Sequence, residues 1–167
     1  MTLRNLSDVL VVLLRDLFSA EVQISCALVA MEKEASNAQL RLILKRHERE
    51  TEEHLRRLEQ IGAKIATDLS GNNCRAMEGL IADCKSILFS SKDRDVIDAG
   101  IIASLQQIEH YEIGSYGTAR AFARLTGQNE IAELLTKTLN EEKATDQMLC
   151  KVAVMTINRQ YLKSAVS

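Results

Sequence analysis

The chain has no proline anywhere in its 167 residues, and this absence limits its fold more than any other feature. A proline inside a helix removes a hydrogen bond and clashes with the preceding turn, at about 3 kcal/mol or more. Without one, nothing interrupts the long stretches of Leu, Ala, Glu, Lys, Arg and Gln, which are strong helix formers. Periodicity divides the chain into helices over residues 6–34, 37–66, 75–89, 95–126 and 129–161. The breaks carry turn formers and helix-capping residues: Ala35-Ser36-Asn37, residues 68–73, residues 90–93, and Gly127-Gln128-Asn129. Two long helices, a short one and two long ones predict a pair of antiparallel hairpins joined by a short crossover helix. This is an all-α four-helix bundle.

The length fits one domain over residues 1–167. A net charge of −2 and a pI near 6.0 offer no basic stripe for nucleic acid, and three Tyr, three Phe and no Trp give little to stack on bases. The longest apolar run, residues 9–14, is far below the roughly 20 residues that span a bilayer. Arg15 and Asp16 follow too early for the apolar core of a secretion signal. The expectation is a cytoplasmic protein without a membrane or nucleic-acid partner. Cys26, Cys74, Cys84 and Cys150 form no C-x-x-C pair and read as small core or half-buried thiols.

The inward face of each long helix follows from alternating steps of three and four residues. The first gives Leu10, Leu14, Leu17, Glu21, Ile24, Leu28 and Met31, apolar except at its centre. The second gives Leu40, Leu44, His47, Thr51, His54, Leu58, Ile61 and Ile65, with Glu50 on its shoulder and Glu53 pointing away. The fourth gives Ile102, Leu105, Glu109, Glu112, Ile113 and Tyr116, with His110 turned away from the stripe. The fifth gives Ile131, Leu135, Thr138, Glu142, Thr145, Leu149 and Val152, with Asp146 one turn after Glu142. Four stripes turn acidic at half-height. A lone ionised carboxylate in a packed core costs several kcal/mol unless it is compensated.

Carboxylates from several directions suit two divalent cations, which they bridge and neutralise. In ferritin-like di-iron bundles, two helices give a Glu each and two give Glu-x-x-His. The corresponding candidates here are Glu21, Glu50 with His54, Glu109 with Glu112, and Glu142 with Asp146. Glu21 and Glu50 stand 29 positions apart and Glu112 and Glu142 stand 30 apart, matching intervals in the two hairpins. A carboxylate-rich set with one or two imidazoles favours iron, then manganese, over zinc. Where Glu-x-x-His would place histidines the chain has Glu53 and Thr145, and donors follow one residue later at His54 and Asp146. His47 reads as a core or supporting residue, and Tyr116 as core packing within reach of a ligand carboxylate.

Several segments together resemble the bacterial YciF-like stress-protein family. They are residues 15–21 (RDLFSAE), Glu50-Thr51, residues 76–81 (AMEGLI), 109–113 (EHYEI), 116–118 (YGT) and 138–146 (TLNEEKATD). The resemblance spans nearly the whole chain. It implies a ferritin-like bundle similar in carboxylate placement to rubrerythrin, a link to stress responses, and a homodimer. Two functions from different classes follow. One is a di-metal protein that reacts with oxygen or peroxide. The other is a structural or interaction bundle whose core acids are neutralised by protons or by Arg and Lys. An iron-storing cage is a third option.

Overall fold

A computed structural model describes residues 3–154 as five helices: α1 (Leu6–Glu34), α2 (Ala38–Lys64), α3 (Arg75–Leu88), α4 (Arg94–Leu125) and α5 (Asn129–Val152). Boundaries agree with the sequence reading to within two residues, except at the C-terminus. The stretch of the fifth predicted helix beyond 154 lies outside the described residues. Helix α1 pairs with α2 and α4 with α5, and α1–α4 and α2–α5 contacts join the two hairpins. The crossover α3 lies against α4 and α1. The result is a ferritin-like four-helix bundle of two antiparallel hairpins.

Short polar side chains start three of the long helices. Asn5 accepts from the Asp8 amide, Asn37 from those of Gln39 and Leu40, and Asp93 from those of Asp95 and Val96. Each satisfies amides that the first helical turn leaves unpaired. Gly127 ends α4 at φ +75°, a left-handed conformation that costs glycine nothing. The turn between α1 and α2 is fixed from across the bundle. Asp98 of α4, 1% exposed, accepts from the Ser36 and Asn37 amides and from the Ser36 hydroxyl at 2.6–2.8 Å. That anchor ties the two hairpins together at one end.

The apolar core is divided in two. One cluster holds Ile24, Leu28, Met31, Leu40, Leu44, Ile101, Leu105 and Leu149 together with Met77, Ile81 and Cys84 of α3. The other holds Leu10, Leu14, Leu17, Leu58, Ile61, Ala119, Ile131 and Leu135 at the opposite end. Between them lies a belt of buried polar groups: Glu21, His47, Thr51, His54, Glu109, Glu112, Thr138, Glu142 and Thr145. Cys74 and Cys84 are buried, while Cys26 and Cys150 reach the surface, all as free thiols. No helix among the described residues is long and apolar enough to cross a membrane.

Candidate metal centre

The belt gathers side chains from all four long helices. Glu21 comes from α1, His47 and His54 from α2, Glu109 and Glu112 from α4, and Glu142 from α5, every one at 0% exposure. The two histidines stand seven residues apart on α2, about two turns, and so share a face. The donor atoms fall into two groups within which every pair lies inside 4.8 Å. One comprises His47, Glu109, Glu112 and Glu142, and the other Glu21, His54 and Glu142. Glu142 belongs to both.

The geometry within these groups differs from ordinary hydrogen bonding. His47 Nε2 lies 2.9 Å from Glu109 Oε1, and its Nδ1 lies 3.8 Å from Glu142 Oε2. His54 Nδ1 is 2.9 Å from Glu142 Oε1 and 3.2 Å from Glu21 Oε1. None of these contacts is aligned as a hydrogen bond. Both oxygens of Glu109, Glu112 and Glu142, Oε2 of Glu21, both ring nitrogens of His47 and Nδ1 of His54 are buried without a hydrogen-bond partner. Among the described residues, no Lys or Arg pairs with Glu21, Glu109, Glu112 or Glu142. Buried polar atoms almost always find partners, so lone pairs converging on a shared space are what a bound cation would satisfy. Tyr116 also contributes. Its hydroxyl donates to Glu21 Oε1 at 2.5 Å, and its ring meets His54 edge-on at 6.3 Å.

Without an ion, Glu109, Glu112 and Glu142 hold on to protons. Burial pushes Glu109 up to about 8 and Glu142 up to about 7, even though His54 draws Glu142 the other way. Glu112 rises well above the ordinary carboxylate range through burial and the charges of Glu142, Glu21 and Glu109. Burial alone would lower His54. The Glu21 charge and the contacts with Glu141, Glu142 and Glu21 outweigh it and push the ring up to about 12.

Two residues expected at the site lie at its margin. Glu50 turns toward Arg46, with its Oε1 2.8 Å from Nε, and receives a long 3.5 Å contact from the Thr145 hydroxyl. Asp146 turns toward His110 Nε2 at 3.3 Å. Neither falls in the two groups. Glu53 is solvent-facing and paired with Arg56, in keeping with its place off the stripe. Periodicity did not single out His47 as a donor or Glu141 at all. Glu141 accepts from His54 Nε2 at 3.0 Å and is gripped by Arg57.

Residues 5–162 match the family described as domain of unknown function 892 (DUF892). The chain belongs to the DUF892 family. Among curated proteins it is 37% identical to YciF of Escherichia coli strain K12 over 161 residues, which is 96% of this chain and 97% of that one. The crystal structure of the E. coli stress protein YciF superimposes with a TM-score of 0.89, covering 93% of this chain and 99% of the other. YcfI of Rhodopseudomonas palustris, 40% identical, gives 0.87 over 90% of this chain and 96% of its own. A Xanthomonas campestris protein of 17% identity gives 0.76 over 96% and 97%, a likeness of fold alone. This DUF892 chain is thus a YciF-like helical bundle with buried His and Glu groups able to hold metal.

Proposed function

We propose that the chain is a stress-associated protein holding two divalent metal ions, iron ahead of manganese, at the middle of its bundle. One observation carries the reading: four fully buried carboxylates and two imidazoles converge from four helices with most of their donor atoms unpartnered. Glu142, common to both groups, would serve both ions. Glu21 with His54, and Glu109 and Glu112 with His47, complete one ion each. Glu50 and Asp146 would join as ligands only by exchanging their partners Arg46 and His110. Iron so held would exchange electrons with oxygen or peroxide. The chain's own part is to neutralise the ions, to orient Glu21 through Tyr116, and to exclude water with the apolar clusters on either side.

The test is metal content. Protein purified from iron-supplemented medium, or reconstituted with Fe²⁺ or Mn²⁺, should carry about two ions per chain by plasma emission spectroscopy. A folded chain that retains none under either treatment ends the reading. Peroxide consumption by the reduced, iron-loaded protein then separates a reacting centre from passive storage. The resemblance and the sequence extend the proposal to a cytoplasmic homodimer, and sedimentation equilibrium checks the dimer.

A structural role is the second reading. It is favoured by the proton-holding tendency of Glu109, Glu112 and Glu142, which would neutralise the core without metal, and by the provisional description of the Rhodopseudomonas relative as a structural protein.

A further inference from the structure

Of the two imidazoles in the belt, only His54 is held from outside it. Its Nε2 points away from the carboxylates and is hydrogen-bonded to Glu141 Oε2 at 3.0 Å, while its Nδ1 faces Glu21 and Glu142 with no aligned partner. Glu141 is itself fixed. Arg57 grips it with both terminal nitrogens, Nη1 to Oε2 and Nη2 to Oε1 at 3.0 Å, and Nη1 also donates to the Thr138 hydroxyl at 3.1 Å. A guanidinium meeting both oxygens of a carboxylate fixes its plane as well as its position. The chain His54–Glu141–Arg57–Thr138 therefore spans α2 and α5, with Arg57 and Glu141 only partly exposed at 17% and 31%.

Resting on the di-metal reading above, we infer that Glu141, clamped by Arg57, is a positioning residue that commits His54 to bind metal through Nδ1. Metal binding displaces the Nδ1 proton, and an imidazole whose Nε2–H is taken by a carboxylate then offers its lone pair from Nδ1, with a ring that cannot flip without breaking that bond. Glu141 touches no ion. It acts through the ring, by fixing which nitrogen carries the proton and by making the other a stronger donor. Arg57, meeting both oxygens of Glu141, holds it in position and unable to turn inward.

Zinc is a suitable probe because it is diamagnetic and takes imidazole and carboxylate ligands. The full chain, labelled with ¹⁵N-histidine and loaded with Zn²⁺, should show His54 with a metal-bound Nδ1 and a slowly exchanging proton on Nε2. In Glu141→Ala that proton should exchange rapidly, and Zn²⁺ affinity at one site should fall 10- to 100-fold. Glu141→Gln keeps an acceptor and should recover most of the affinity. Arg57→Gln, which removes the clamp, should lose a few-fold, and it carries the test should the alanine variant fold poorly, unchanged affinity there counting against the inference. Zinc on Nε2, or a protected proton and unchanged affinity in Glu141→Ala, would overturn the inference while leaving the metal site standing. A wild-type chain that binds no Zn²⁺, Fe²⁺ or Mn²⁺ overturns both.

Discussion

His47 and His54 lie on one face of α2, two turns apart and equally buried, yet their surroundings differ. His54 is tethered on its outer nitrogen by Glu141, and its inner nitrogen faces two carboxylates. Both nitrogens of His47 lie among the belt's carboxylates, Nε2 near Glu109 and Nδ1 near Glu142, and neither has an aligned partner. Burial and residue type are therefore not enough to make two imidazoles equivalent. What lies behind the ring decides whether its orientation is set before an ion arrives or by the ion itself. A pre-set donor loses less side-chain freedom on binding, so the half of the centre containing His54 should hold its ion more tightly.

Glu142 joins the two halves, so its loss should have the largest effect. Glu142→Ala removes the one carboxylate common to both groups, and both ions should be lost in metal analysis while helical circular dichroism is retained. Retention of one full equivalent would show that the two halves bind independently and that Glu142 is no bridge. The histidine variants should each cost one ion. The ion left in His47→Ala, held by the tethered His54, should bind about 10- to 100-fold more tightly than the ion left in His54→Ala, the range by which supporting partners of a metal-bound imidazole affect affinity. Equal residual affinities would mean that the tether has no energetic consequence.

These contrasts also mark what the sequence could and could not disclose. The helices were legible because no proline interrupts them and because apolar residues recur at steps of three and four. Glu21, His54, Glu109, Glu112 and Glu142 stood out because they occupy the centre of those stripes, where only a buried position is available. His47 lay on the same stripe, within about 20° of His54 around the helix, and the signal that could have raised its weight was that shared face. Glu50 and Asp146 sit on stripe shoulders. There a side chain can turn in or out, and Arg46 and His110, which draw them aside, lie off the stripes that were read. Glu141 was invisible for a related reason. It is one residue from Glu142 and about 100° around the helix, on a face that periodicity assigns to solvent, and only the packing of α2 against α5 shows Arg57 and His54 meeting it. Asp98 follows the same pattern, since its partners are amides of a turn 61 and 62 residues away.

The smallest expected effect is on the stability of the metal-free chain, and its sign follows from proton binding. Burial pushes Glu109 up to about 8 and Glu142 up to about 7 in the fold against 4.5 when exposed, and holds Glu112 well above the ordinary carboxylate range, so the native state holds more protons than the unfolded one between about pH 5 and 8. His54, raised from 6.5 to about 12, adds to the excess above neutrality. Glu141 works in the opposite direction but only in acid. Burial would raise it, but His54 and Arg57 hold it down to about 2, so its contribution is lost below about pH 4.5. A native state richer in protons loses stability as pH rises. The thermal midpoint of the metal-free protein should therefore be highest near pH 5 and fall by several degrees toward pH 8. Glu112→Gln, which removes one proton-holding carboxylate, should flatten the fall. Saturating Zn²⁺ should reverse it, because ions replace those protons and bind better as the carboxylates ionise. A midpoint that climbs from pH 5 to 8 in the metal-free chain would mean that the belt's acids are already ionised and compensated, and that the contrast between its two histidines is set by something other than shared charge.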